Sequence, residues 1–362
     1  MRLGHRLFIM KQDVRRVTMF ERNIYDSYRL YSEKRFKIDG YECFEAGGIA
    51  YILFPKDESA SDETDMLTFV SFLRSAGDTS VPELIQTAQG ANFSLVEGVE
   101  MYLCQLPQPN QLRMQPLPTD GRGIGEHLAS WHQFGRQVQS RVGQQELFGQ
   151  WGTIWTTRLE QLENWYEELY MQGPRNVVDE TFLTTYPYFM GLSENAIQYV
   201  VDTDLDGTGN EYLAGTLCHR RFSDKAWISL SSNGAMIKPP TAFVYDHPAR
   251  DLAEWLRNRR YQLSSQRNWK DAQDFFEGYQ RHQSITPASW RLMFSRLLYP
   301  VHYFETIEDY YRCQIPIDQQ KLGQSFLDLI AQEKVNETFL HRFAEERYLP
   351  NTPTGFPKVD WL

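Results

Sequence analysis

The residues best placed to do chemistry lie between positions 217 and 256, in LCHRRFSDKAWISLSSNGAMIKPPTAFVYDHPARDLAEWL. His219 follows a short apolar lead-in, Asp246 ends the apolar run 242–245, and Pro248 and Asp251 lie just beyond. The stretch reads as strand, irregular loop, strand, turn, strand and then a helix opened by Asp251. A histidine and carboxylates at such loop positions are the groups that proton transfer and divalent-cation binding use. Asp224 and Asp246 are the carboxylates of interest, but hard cations need several oxygens, so Asp246 alone makes a poor magnesium site. Arg220 and Arg221 follow His219 directly. Guanidinium groups stay protonated and only donate, so they suit anions and cannot accept a proton or hold a metal.

Other motifs imply less. Gly121-x-Gly123-x-Gly125 precedes a helix but has no strand leading into it, which a nucleotide-binding loop requires, so it reads as a flexible joint. Asp202-x-Asp204-x-Asp206-Gly207 imitates the start of a calcium loop, yet its twelfth position is Leu213 where a bidentate glutamate belongs. An Asp/Gly turn accounts for it. Cys43, Cys104, Cys218 and Cys313 are far apart with no C-x-x-C pair, which suggests reduced, mostly buried thiols and no zinc site. Cys218 beside His219 reads as the end of a buried strand, because no activating constellation accompanies it.

The elements that must position these residues follow from the chain in order. Its 362 residues are enough for one large or two modest domains. A net charge of −10 argues against nucleic acid as main partner, since phosphate neutralisation needs a basic face. The arginines near 257–267 are interleaved with acidic residues and read as a solvated helix face. No apolar run approaches the roughly 20 residues that span a bilayer. Residues 1–18 carry five basic residues and one acidic one and read as a disordered leader. A helix at 20–31, strands at 36–44 and 49–54 around a tight Gly47-Gly48 turn, a helix from about 62 to 75 and further short strands to 104 make a small sheet-plus-helix domain over 19–105. A proline-rich linker covers 106–124, a mainly helical part 125–348, and a proline-rich tail 349–362. Within the helical part, helices are expected at 155–171, 179–190 and 194–201, with aromatic stripes as core contacts.

The layout of 217–256 resembles the catalytic segment of the aminoglycoside phosphotransferase-like kinases. Their pattern is roughly L-x-H-G-D-F-x-x-x-N, then a hairpin, then I-D-W/F, then D-P-x-x-D-L-A. The resemblance implies an α+β, two-lobed protein kinase-like fold, with a small β-rich N-lobe and a larger, mainly helical C-lobe. It also implies roles. His219 aligns with a histidine that bridges backbone groups, Arg220 with a glycine, Arg221 with the catalytic aspartate, and the position near Ala226 with a magnesium-binding asparagine. Asp246 takes the metal-ligand position as a remnant, and Asp251 either orders the loop or caps its helix. The strand lysine should fall near Leu53 or Phe54, neither of which can pair with phosphate. Lys56 is the nearest cation, beyond Pro55.

Residues 289–311, SWRLMFSRLLYPVHYFETIEDYY, with the N-terminal ERNIYDSYRLYSEKRFKIDGYECFEAGG, resemble the YutH branch of the spore coat-associated kinase-like proteins, related to the CotS group. The resemblance implies a protein laid down with the spore coat, with other coat proteins as partners. Separately, the apolar stretch 7–10 is too short for a signal-peptide core, so cytoplasmic synthesis without an export signal is expected. With its chemical groups missing, the chain reads as catalytically silent, with no cofactor expected and binding as its mode of action. One alternative is an active phosphotransferase that uses Asp224 and Asp246 with Mg-ATP. The other is a nucleotide-binding switch without transfer, in which Arg220 or Arg221 holds phosphate.

Overall fold

A computed structural model of the chain describes residues 18–107, 118–141, 147, 149–206, 215–223, 226–230, 236–264 and 269–347. Contacts divide the chain into two compact units: Met1–Glu58 with Pro82–Arg113, and Ser59–Val81 with Met114–Leu362. Of the expected leader only Thr18 is described; the expected tail and most of the expected linker lie outside the described residues.

The first unit opens with helix α1, Met19–Tyr28. Thr18 caps it, accepting from the Glu21 N–H at 3.3 Å while the Glu21 carboxylate accepts from the Thr18 N–H at 2.7 Å. Phe20, Ile24 and Tyr28 bury one face against Phe44, Leu53 and Leu103 of a sheet. That sheet comprises β1 Lys34–Ile38, β2 Tyr41–Ala46, β3 Ile49–Pro55, β4 Glu83–Ile85, β5 Phe93–Val96 and β6 Val99–Gln105. Its order is β1-β2-β3-β6-β4, with β5 also pairing β6, all antiparallel.

The second unit takes in helix α2, Glu63–Ser75, which the sequence reading places in the sheet domain. Backbone bonds explain the difference. The Ala60 N–H donates to Thr241 O at 2.8 Å, and the Lys238 N–H donates to Ser80 O at 2.9 Å. Both ends of the segment are thus tied to residues far along the chain. α3 spans Gly121–Gly135, capped by Asp120, which accepts from the Gly123 N–H at 2.8 Å. The expected joint at Gly121 to Gly125 is therefore the first turn of this helix. α4 is Trp151–Gln172, and α5 runs unbroken over Val177–Asp206 with Pro187 inside it, where two helices were expected. Asp202, Asp204 and Asp206 are all part of α5; the motif from its glycine to Leu213 lies outside the described residues.

Then come β7 Thr216–His219, β8 Ile228–Ser229, β9 Met236–Ile237 and β10 Phe243–Asp246. They pair as two small antiparallel ribbons, β7 with β10 and β8 with β9. Helices α6 Ala249–Asn258, α7 Arg260–Leu263, α8 Trp269–Gln280, α9 Pro287–Leu298, α10 Val301–Arg312, α11 Pro316–Ala331 and α12 Glu333–Arg347 complete the unit. Their apolar faces share one core with α3, α4 and α5. At Gly125 a Cβ would lie 2.1 Å from Phe275 O, so this glycine lets α3 approach α8. The described cysteines are free thiols; Cys43, Cys104 and Cys218 are buried and Cys313 is half-buried. No helix among the described residues is long and apolar enough to cross a membrane.

Candidate functional site: the loop between β7 and α6

Pairing of Phe243 with His219 and of Asp246 with Thr216 sets the frame of the site. His219 ends β7 with 1% of its surface exposed. Its N–H donates to Asp251 Oδ1 at 2.9 Å, and its Nδ1 lies 2.9 Å from Asp251 Oδ2. The Trp227 indole donates to its Nε2 at 3.3 Å. That bond assigns Nε2 as the acceptor and puts the ring proton on Nδ1, facing the carboxylate. Both ring nitrogens are thereby spent on internal bonds.

Asp251 is not the cap of its helix. α6 starts at Ala249 after Pro248, so Asp251 sits in the first turn with its side chain directed at His219. It also faces His132 of α3, whose Nε2 is 3.2 Å from Oδ2 and whose Nδ1 is 2.9 Å from the Tyr279 hydroxyl. Burial pushes the Asp251 carboxyl up, but the two histidines outweigh it and hold the group well below the usual carboxylate range. Burial holds His132 below the usual histidine range.

His132, Cys218 and Asp251 offer donor atoms within 4.8 Å of one another, all buried. Each atom is already engaged. The Cys218 thiol lies 3.6 Å from both Asp246 O and His247 O, and burial pushes it well above its ordinary value. The group therefore acts as a lock on the β7 turn. His132 carries no signal in the sequence beyond its helical spacing, which marks a core position like its neighbours Leu128 and Trp131.

Asp246 is fully buried, and its oxygens are taken. Oδ2 accepts from Trp151 Nε1 at 2.9 Å and from Arg250 Nε; Oδ1 accepts from the His247 N–H at 2.7 Å. A divalent cation needs several open oxygens, so the expected remnant of a metal site does not fit one.

Arg221, expected from the resemblance at the position of the catalytic aspartate, points to Glu305 and to Glu254, 3.6 Å away. Glu254 is buried and also accepts from Arg257 at 2.9 Å and from Arg296 at 2.9 Å. Burial raises its carboxyl, yet Arg257, Arg296 and Arg221 together bring it down to about 2. Arg296 is brought down to about 9 by burial and the nearby Arg250 charge. The Arg220 side chain is exposed, and its N–H donates to Ala242 O at 2.7 Å. Asp224 lies outside the described residues. In the first unit, Leu53 and Phe54 are buried, while Lys56 lies 3.2 Å from Glu100 and over the Phe93 ring at 3.6 Å.

Sequence reasoning also missed Lys238, which directly follows β9. Its Nζ donates to Asp78 Oδ2 at 2.7 Å and lies 4.6 and 4.7 Å from the ring centres of Trp131 and Trp227. The available signal was segment order. After the β8–β9 hairpin the kinase pattern has I-D, and here Ile237-Lys238 stand. Pro248-x-x-Asp251-Leu252-Ala253 then fits P-x-x-D-L-A, with His247 where that motif has its first Asp, so Asp246 stands next to the later motif and not at I-D. Beside the loop, a cavity of about 360 Å³ is lined by Ile124, Phe222, Ser223, Met236, Trp255 and Arg259.

The fold is that of the aminoglycoside phosphotransferase-like kinases. An aminoglycoside phosphotransferase from Alicyclobacillus acidocaldarius matches with a TM-score of 0.60 at 13% identity, over 92% of this chain and 98% of that one. Spectinomycin phosphotransferase APH(9)-Ia, in complex with ADP and spectinomycin, matches with a TM-score of 0.56 at 11% identity, over 88% and 96%. At these identities the likeness concerns the fold alone. Sequence narrows the class further. Residues 21–343 match the family described as "Spore coat putative kinase YutH", and the chain belongs to that family. The endospore coat-associated protein YutH of Bacillus subtilis (strain 168) is 31% identical over 327 residues, which cover 89% of this chain and 91% of that protein.

Proposed function

We propose that this protein is a catalytically silent member of its kinase-like fold, and that it acts by binding other proteins of the spore coat. The coat association named for its relative supports the setting. The chemistry of the loop supports the silence, and one observation carries it: Lys238, whose ammonium donates to Asp78 at 2.7 Å, stands where the kinase pattern has I-D, while Asp246, the carboxylate expected as the metal ligand, has both oxygens accepting from Arg250, Trp151 and the His247 N–H. A carboxylate so engaged cannot hold magnesium without breaking an ion pair in a medium where an unpaired charge is costly. Arg221, turned to Glu254 and Glu305, supplies no base. On this reading no nucleotide or metal is part of the working protein.

The test is thermal unfolding of the intact chain with Mg²⁺, ATP, both or neither, together with phosphate release. The proposal expects no phosphate release and the same melting temperature in all four. A rise of several degrees that needs Mg²⁺ and ATP together would overturn it. Release of phosphate that Asp224→Ala abolishes would establish the phosphotransferase alternative instead.

A further inference from the structure

Lys238 is 8% exposed. An ammonium group buried to that degree needs its lost hydration replaced. Asp78 supplies the charge, and the faces of Trp131 and Trp227 supply the rest, since an indole ring carries negative potential on its face. The remaining carboxylate oxygen, Asp78 Oδ1, accepts from the Ser80 N–H at 2.9 Å and from the Ser80 hydroxyl, which fixes the turn that carries it. Despite burial, Lys238 and Ser80 hold Asp78 below the usual carboxylate range. His127 packs edge-on against Trp227, 5.0 Å between ring centres, and burial ahead of the Lys238 charge brings it down to about 4. The neighbouring imidazole is therefore neutral near pH 7 and adds no competing cation.

The cage joins distant parts of the chain. Asp78 and Ser80 follow α2, Trp131 lies in α3, and Trp227 and Lys238 flank the β8–β9 hairpin. The backbone bonds from Lys238 to Ser80 and from Ala60 to Thr241 fasten the two ends of the same segment to the same short loop. Between them α2 buries Met66, Phe69, Val70 and Leu73.

We propose that Asp78, Trp131 and Trp227 form a monovalent-cation site that the chain fills with its own Lys238 ammonium, and that this internal cation anchors α2 in the second unit without any added ion or nucleotide. The site selects an alkylammonium: one carboxylate sets the charge, and two indole faces favour a weakly hydrated cation over a small inorganic one. Its functional meaning rests on the silent reading above, because it stands where the kinase pattern places an acidic residue.

The experiment is native-state hydrogen exchange of α2 amides in the full chain, free of nucleotide, with and without n-butylammonium chloride. In Lys238→Ala we expect α2 exchange to rise about tenfold or more through local opening, and butylammonium to reverse most of that rise. Sodium chloride at equal ionic strength should not. Lys238→Met, which keeps the stem and loses the charge, should also loosen α2, and gives the readout if Lys238→Ala fails to fold. Arg158→Met, which removes a partner of Glu308 between α4 and α10, should leave α2 unchanged. Wild-type exchange of α2 in the lysine variants, or rescue by sodium as good as by butylammonium, overturns the proposal. A magnesium-dependent ATP shift in the wild-type chain would sink the silent reading and leave this result standing; unchanged α2 exchange would do the reverse.

Discussion

Arg250 and Asp246, four residues apart in the sequence, form a buried ion pair that joins the end of β10 to the start of α6. The same guanidinium reaches Arg220 O at 3.3 Å, so it also fastens the backbone of the loop after β7. Removing one member of such a pair strands a charge where water cannot reach it. Arg250→Met is expected to cost about 3–5 kcal/mol in urea unfolding. Adding Asp246→Asn should recover part of that loss, because the stranded charge is gone. Strictly additive costs in the double variant would show that the pair is not coupled.

The acid limb of stability has two groups of contributors with different windows. His127 is lowered to about 4 and His247 to about 3, both through burial. Below the ordinary histidine value of about 6.5 the unfolded chain takes up protons that the folded chain refuses, so stability falls as pH drops from there towards those values. Glu254 and Asp251 are depressed carboxylates. Their contribution is complete above the unfolded carboxylate value of about 4 and is lost as pH falls through the folded ones. Unfolding free energy measured from pH 8 to 4 should therefore decline before Glu254 and Asp251 titrate. His127→Phe should make that decline shallower; an unchanged slope would exclude His127 as a source.

How far the site was legible depended on what each residue looks like from its neighbours. β7 and β10 are apolar runs ending in a polar residue, so His219 and Asp246 were found at strand ends. Asp251 reads as a cap because Asp before Leu-Ala is a common helix opening, but Pro248 already supplies the start and frees the carboxylate for His219. Lys238 was missed for a physical reason. A lysine beside two prolines signals a solvated turn, and only the distant Trp131 and Asp78 make its burial tolerable. The same distance hid the allegiance of α2, whose tether is a pair of backbone bonds to residues 238 and 241. His132 lies on the buried face of an amphipathic helix, where sequence spacing cannot separate a bonded histidine from a packing residue.

Arg221 and Arg296 both reach Glu254, yet their removal should differ sharply. Arg221 has 41% of its side chain exposed and Arg296 only 10%. Arg221→Ala should change stability by no more than about 1 kcal/mol, because solvent screens its pairs. Arg296→Met should cost about 3 kcal/mol or more, since it takes two donors from a buried carboxylate. Urea unfolding of both variants decides the ordering, and equal losses would contradict the geometry.

Gly125 separates the two meanings of the glycine run that opens α3. A phosphate-cradling loop would lose nucleotide affinity on substitution and keep its stability. A helix–helix contact would lose stability instead. Gly125→Ala places a methyl group 2.1 Å from Phe275 O and 2.8 Å from Tyr279 N, both backbone atoms of α8 that have little room to move. Overpacking of this kind typically costs about 1–3 kcal/mol, and backbone contacts fall at the upper end. The gain in helix propensity offsets at most about 1 kcal/mol of it. Gly152→Ala, in the first turn of α4 with its nearest neighbour 3.8 Å away, is the control and should be neutral or slightly stabilising. Urea unfolding of the two variants is the measurement. Gly125→Ala as stable as wild type would show that α3 and α8 do not meet as closely as their backbones indicate.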